Sequence, residues 1–313
     1  MEDNYRSAEH FTAEQVRGAI GSGEIVQATA LAFDARRQLR FRIGGMQAVM
    51  PFAQCAEGAD AGAVRDIAVL TRVGRATCFV IQGYEKNEKG EMQLLLSRAE
   101  AQRRCRQEYL DALGPGDIIP AAVTHVEPFG AFCDVGCGIN ALLPIDCLSV
   151  SRIASPLDRI MVGQHIRSVI KSRDPQGRFV LSLRELLGTW EENAAAFTIG
   201  ETVVGIVRSV ETYGTFIELA PNLAGLAESC PSLQPGQAVS VYIKNILPEK
   251  MKIKLVIVNR NLEQRIRFDL RYTQTEGHLD QWTYSTEGHL DQWTYSTAAS
   301  GRQIGTDFGA VVL

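Results

Sequence analysis

The sequence lacks an excess of basic residues: 32 Lys and Arg stand against 36 Asp and Glu, a formal charge of −4. A protein that coats nucleic acid through charge alone needs the opposite balance, so that class is disfavoured, while local basic surfaces stay compatible with the composition. Also missing is any apolar run approaching the roughly 18 to 20 residues needed to span a bilayer, so no membrane partner is expected. Met1 to Phe11 is polar and charged with no apolar stretch behind it, which predicts no secretory signal and a cytoplasmic protein. The seven cysteines are odd in number and scattered, without a CxxC pair. Neither a disulfide framework nor a zinc site is indicated, and no metal or cofactor is expected. Cys133 and Cys137, the closest pair, flank a Gly-rich turn and leave a redox or metal role as the minor alternative. No Walker loop, HExxH, GxSxG or carboxylate cluster outside the repeated units is found, so no enzyme activity is expected.

What is present is an internal repeat. The stretch PGDIIPAAVTHVEPFGAFCDVGCGINALLP from Pro115 aligns without gaps with IGETVVGIVRSVETYGTFIELAPNLAGLAE from Ile199. Gly116 falls on Gly200, Phe129 on Tyr213, Phe132 on Phe216 and Leu142 on Leu226. After a deletion in the later copy, Gly163 falls on Gly236, Lys171 on Lys244 and Pro175 on Pro248, and one extra residue then brings Leu181 onto Leu255. A fainter copy starts at Gly23 and closes near Ser97; it keeps the strand pattern, with Met50-Pro51 against Leu143-Pro144, and loses the aromatic residues. If Cys133 and Val135 face the interior of the second copy, Phe132 and Asp134 face outward. In the third copy Glu218 faces outward between inward Ile217 and Leu219.

Each unit, roughly 60 to 75 residues long, reads as about five short strands punctuated by Gly, Pro, Asp and Asn. Units of this kind usually close into a barrel to hide their edges. The segments from Ser97 (SRAEAQRRCRQEYLDAL) and Arg184 (RELLGTWEENAAAF) fit helical spacers. The expected fold is mainly β: three tandem five-stranded barrels joined by short helices, with a C-terminal tail. The boundaries are a leader over 1–22, barrels over 23–98, 114–186 and 199–258, helical linkers over 99–113 and 187–198, and the tail over 259–313. The tail carries TEGHLDQWTYS twice in succession, at Thr275 to Ser285 and Thr286 to Ser296. Its His and Trp residues leave a ligand site open, beside a surface-docked or loosely ordered terminus.

Phe129 and Phe132 flank Gly130, and a glycine there permits a bulge that turns both rings to one face. Exposed paired rings form a platform on which bases stack; the alternative is that one or both are core. Tyr213, Gly214 and Phe216 repeat the arrangement. In the turn DPQGR, Arg178 points outward and suits a phosphate or a base, while Asp174 accepts from a base or holds the turn. Arg103, Arg104 and Arg106 read as a solvated helix face, with a phosphate-binding stripe as the other choice.

The segments VTHVEPFGAF and DPQGRFVLSLRE, with the Gly-rich turn between them, resemble the S1 RNA-binding domain of ribosomal protein S1 and of exoribonucleases. The organisation of the three copies is similar to shortened ribosomal protein S1-like proteins of low-GC Gram-positive bacteria. The resemblance implies OB-fold barrels, single-stranded RNA as partner, and a role in translation. It assigns RNA contacts to His125, Phe129, Phe132, Asp174 and Arg178 in the second copy and to Tyr213, Phe216 and Lys252 in the third. A histidine frequent in the family is Pro144 here, and in the third copy Leu247 replaces the Asp and Glu228 stands at the histidine position. The first copy has Arg40 and Gln93 where the ring and the cation belong, which implies a docking module, with the small ribosomal subunit as its partner. The rival readings are a protein-interaction scaffold with little RNA binding and an accessory subunit of an RNA-processing enzyme.

Overall fold

A computed structural model describes residues 5–260, 262, 266–284 and 305–308. The chain divides into two compact units, one of residues Met1–Leu113 with Asp134–Asn140 and one of Gly114–Cys133 with Ala141–Leu313.

The first unit contains β1 (Arg6–Ser7), α1 (Ala13–Ser22), β2 (Ile25–Thr29), β3 (Ala32–Phe33), β4 (Gln38–Ile43), β5 (Met46–Pro51), α2 (Asp66–Leu70), β6 (Ala76–Lys86), β7 (Met92–Ser97) and α3 (Arg98–Glu108). Its strands form one sheet in the order β1-β2-β6-β7-β5-β4-β3. This departs from a simple five-stranded ring because the first strand of the repeat is broken at Ala30 and Leu31. Ala30 bridges to Val73 while the Leu31 N–H donates to the Arg40 carbonyl at 2.7 Å, so the two pieces, β2 and β3, run beside different neighbours. Residues 5–22 are built into this unit. Thr12 and Gln15 form a capping box that starts α1, Gly23 ends it with φ +64°, and Phe11, Val16 and Ala19 are buried in the core. Each arginine of the basic helix is engaged: Arg103 with Glu100, Arg104 with Glu108 and the Gly23 carbonyl, Arg106 with Glu57. The solvated, ion-paired face is therefore the reading these contacts favour.

In the second copy, β8 (Ile118–Glu127), β9 (Gly130–Asp134), β10 (Asn140–Pro144), β11 (His165–Arg173) and β12 (Phe179–Ser182) close into a barrel in the order β10-β12-β11-β8-β9. In the third, β13 (Thr202–Glu211), β14 (Gly214–Ala220), β15 (Leu223–Ala227), β16 (Ala238–Leu247) and β17 (Lys252–Asn259) close in the order β13-β14-β15-β17-β16. Both contain one parallel bridge at the same repeat position, Leu142 with Val180 and Leu226 with Lys254. The alternation of β-branched and apolar residues in each strand fills the interiors, as with Ile119, Ala121 and Val123 or Val239, Val241 and Ile243. The spacer from Arg184 is less helical than its composition suggests. It holds a 3-10 turn and the five-residue α4 (Trp190–Ala194), because Gly188 breaks it at φ +81° and Thr189 caps a new start.

Two outward strand positions are covered rather than solvated. Asp134 is only 3% exposed; its Oδ1 accepts from the N–H groups of Gly136 and Gly138, holding the Gly-rich turn. Glu218 is fully buried and bonded by Arg159 and Arg208. Period-two alternation places both side chains outside the barrel wall, but other chain segments lie over them. Burial pushes the Glu218 carboxyl up from its usual range, against the opposing pull of the two guanidinium groups.

Described residues of the tail pack into the second unit. Trp282 and Tyr284 on and beside β18 (Gln281–Thr283) join a core that also takes Trp190, Leu186 and the interior of the third barrel. β18 pairs with β19 (Gly305–Asp307). The second copy of the duplicated segment, 286–296, lies outside the described residues.

Candidate nucleic-acid interface

The site is built on β9 and its counterpart β14, and glycine makes it possible. A Cβ on Gly130 would sit 2.4 Å from the Leu143 carbonyl oxygen, and one on Gly214 would sit 2.7 Å from that of Ala227. Any larger residue would push the strand off its neighbour and separate the rings on either side. With glycine in place, Phe129 and Phe132 stand edge to face with centroids 6.2 Å apart and planes at 86°. Tyr213 and Phe216 repeat this at 6.1 Å and 84°. Phe129 is 55% and Tyr213 70% exposed, while the second ring of each pair is half-buried. These rings therefore lie on the surface, and the reading of Phe129 or Tyr213 as core is set aside. Exposed aromatic faces of this kind favour stacking of a planar ligand.

On β8, Thr124 donates to the Phe132 carbonyl at 3.0 Å, and exposed His125 lies 2.7 Å from Glu127. The turn before β12 is organised by Asp174. Its Oδ1 accepts from the N–H groups of Gln176 and Arg178, and its Oδ2 lies 2.6 Å from Arg178 Nε. Partial desolvation pushes its pKa up, but these hydrogen bonds and the Arg178 charge outweigh it and hold the carboxyl below its usual range. Asp174 is thus a turn residue that also aims the exposed Arg178. In the third barrel Leu247 stands at this place and pairs across the ladder with Lys252, so no carboxylate orients that cation from there.

Residues 113–184 match the family model described as the S1 RNA binding domain. They form an S1 RNA-binding domain. The small ribosomal subunit protein bS1 of Staphylococcus saprophyticus is 32% identical over 49% of this chain and 42% of that protein. The small ribosomal subunit protein bS1 homolog of Bacillus subtilis is 30% identical over 57% of this chain and 47% of its own length. The match thus spans under half the length of these relatives. A solved multidomain protein with nucleic acid binding domains from Streptococcus pneumoniae is similar over 77% of this chain and 75% of its own, at 15% identity and a TM-score of 0.25.

The strand register of the repeat adds a residue that motif comparison passed over. In the third barrel Ser209 pairs with Phe216, Phe216 with Leu226, and Leu226 with Lys254, a continuous row across four strands. Exposed Lys254 therefore shares the row of the ring, two residues beyond Lys252 on the same strand. By the repeat alignment the counterparts in the S1 domain are His125, Phe132, Leu142 and Val180, of which Leu142 and Val180 form the parallel bridge, so no cation stands at the Lys254 position. A Lys at alternating spacing on an outer strand face looks like any solvated residue, and only the parallel bridge connects it to the aromatic pair.

The first copy has no such site. Arg40 is ion-paired with Asp34 at 2.7 Å, and Gln93 is buried and donates to Glu85 at 2.8 Å. All seven thiols are buried, and among the described residues no group of His, Cys, Asp and Glu could hold a metal. A contact from Cys105 pulls the Cys137 thiol down, but the contact with Cys78 and burial push it up to about 12, so it stays protonated and a poor nucleophile at neutral pH. Among the described residues no helix is long and apolar enough to cross a membrane.

Proposed function

We propose that this chain is a cytoplasmic, non-enzymatic protein that binds single-stranded RNA and acts in translation, holding messenger RNA at or near the ribosome. The observation that carries the reading is the exposed edge-to-face ring pair, present in the S1 domain and repeated with nearly the same distance and angle in the third barrel. Successive bases stack on such rings at about 1 to 3 kcal/mol per base, without need of a strongly basic protein. Phe129, Phe132, His125 and Arg178, the last aimed by Asp174, make the main contact. Tyr213, Phe216, Lys252 and Lys254 make the second.

The first unit, with Arg40 and Gln93 turned to internal contacts, takes the protein-docking role toward the small ribosomal subunit. Titration of the full chain with unstructured RNA, followed by recovery of ribosomes on the chain lacking all four rings, tests both halves. RNA binding that vanishes with the rings while ribosome recovery persists is the expected result. Absence of RNA binding by the unaltered chain would favour the scaffold reading, and loss of ribosomes together with RNA would remove the docking role.

A further inference from the structure

In the third barrel β16 and β17 send Val241, Ile243 and Leu255 into the interior, so strand alternation turns Tyr242, Lys254 and Val256 outward. Tyr242 stands in a row across three strands, opposite Thr202 of β13 on one side and Val256 of β17 on the other. Tyr242 is 39% and Val256 44% exposed. A bulge between Ile243 and Asn245 makes Lys244 the extra residue of β16, and both Lys244 and Lys254 are exposed.

The same positions of the S1 domain have another fate. By the repeat alignment Val169 is the counterpart of Tyr242, Ser182 of Val256 and Ile118 of Thr202. All three are buried, and Ile118 and Val169 belong to the core that holds Leu186 and Trp190. One barrel thus has this face covered by its own chain, and the other carries an aromatic ring there beside two cations. An exposed ring adds little to a core and offers its faces to a planar ligand.

This face is continuous with the ring pair. The row that runs from Phe216 through Leu226 to Lys254 goes on to Asn245 of β16, and Tyr242 lies on that strand beside Val256, two residues past Lys254. From β14 to β16 is three strand spacings, about 14 Å around the barrel wall. Barrels of this class take about 4 to 16 nucleotides of single strand each, more than two rings can seat. The charges agree, since Lys244 and Lys254 suit phosphates. Glu201, whose carbonyl accepts from the Ile243 N–H, has its carboxylate turned to the Thr198 N–H at 2.9 Å.

We propose that the outer face of β16 and β17 extends the RNA-binding surface of the third barrel. Tyr242 stacks a further base, and Lys254 and Lys244 bind the phosphates between it and the Tyr213/Phe216 pair. This extension rests on the reading of those two rings as a base platform.

The test is made in the full chain carrying Phe129→Ala and Phe132→Ala, so that RNA binding reports the third barrel. Unstructured oligouridylates of about 4 and about 12 nucleotides, within the range for one barrel, serve as probes. Tyr242→Ala should weaken binding of the longer RNA at least about fivefold, the smallest factor for one stacked base, and leave the shorter RNA unaffected. Tyr242→Phe should bind both as before. Where circular dichroism shows the alanine variant unfolded, Tyr242→Leu keeps the bulk without the ring and takes its place. Ultraviolet crosslinking of the longer RNA to the unaltered chain is the second measurement, with an adduct expected on Tyr242. Unchanged affinity for the longer RNA and no adduct would overturn the extension alone, provided that Tyr213→Ala with Phe216→Ala still weakens binding. No loss from that ring pair would overturn the platform and the extension together. Equal weakening for both lengths would make Tyr242 a structural residue. A shift from dimer to monomer in the sedimentation of Tyr242→Ala, with RNA affinity unchanged, would assign the face to a second copy of the chain.

Discussion

Glu218 receives a hydrogen bond from Arg159 with both side chains completely shielded from solvent, and Arg208 binds the other carboxylate oxygen at 2.6 Å. Arg159 comes from the loop between β10 and β11, and Glu218 from β14, so this network ties the second barrel to the third within one unit. Removing the carboxylate leaves the buried Arg159 guanidinium without its ion-pair partner and Arg208 with only the longer contact to Asp158 at 3.5 Å, and breaking a buried pair in this way typically costs about 3 to 5 kcal/mol. Glu218→Ala is therefore expected to lower the urea midpoint sharply at an unchanged denaturant slope. A loss below about 1 kcal/mol would mean that water reaches the network and solvates the charges.

Phe129→Ala combined with Phe132→Ala should remove most RNA binding by the S1 domain and keep the fold, since Phe129 projects into solvent and Phe132 is only half-buried. Two stacking contacts at about 1 to 3 kcal/mol each correspond to a loss of at least tenfold in affinity. Circular dichroism and titration with single-stranded RNA decide the matter. Unfolding would make the rings structural, and unchanged affinity in a folded protein would end the stacking proposal.

The salt dependence of RNA binding should be shallow, equivalent to about two to four released counterions, because few cations flank the rings. Lys254→Ala is expected to reduce the slope of log affinity against log salt by about 0.7, the single-strand value for one phosphate contact. An unchanged slope would place Lys254 off the RNA path. A much steeper slope in the unaltered chain would bring Arg103, Arg104 and Arg106 into contact with phosphates, despite their ion pairs.

Asp174 has a carboxyl held below its usual range in the folded protein, so its proton leaves more readily there than in the unfolded chain. The stabilisation it gives to the turn is full above the unfolded value of about 3.9 and disappears as the pH falls through the lower, folded value. A carbon-detected NMR titration should give Asp174 a midpoint below that of an unstructured Asp, with the amide signals of Gln176 and Arg178 moving at the same pH. A midpoint at or above the unstructured value would show that the turn is not held by this carboxylate.

Much of this architecture was legible in the sequence, because repetition carries information that composition does not. The gapless match of Pro115 onward with Ile199 onward located the strands, and the pairs Phe129/Phe132 and Tyr213/Phe216 around a glycine marked the exposed rings. Local chemistry sufficed for the DPQGR turn, where one Asp bonds the N–H groups two and four residues ahead. Only the tertiary structure decided what lies over the outer barrel faces. Strand alternation separates inside from outside a barrel, but says nothing of which other segment covers the outside, so Asp134 and Glu218 had the pattern of solvated residues and are buried. The row joining Lys254 to Phe216 needed the parallel bridge at Leu226, which connects strands distant in sequence. The fate of Trp282 and Tyr284 needed the core around Trp190 and the carbonyl of Asn222, residues far apart in sequence that both meet Tyr284 only in the packed fold.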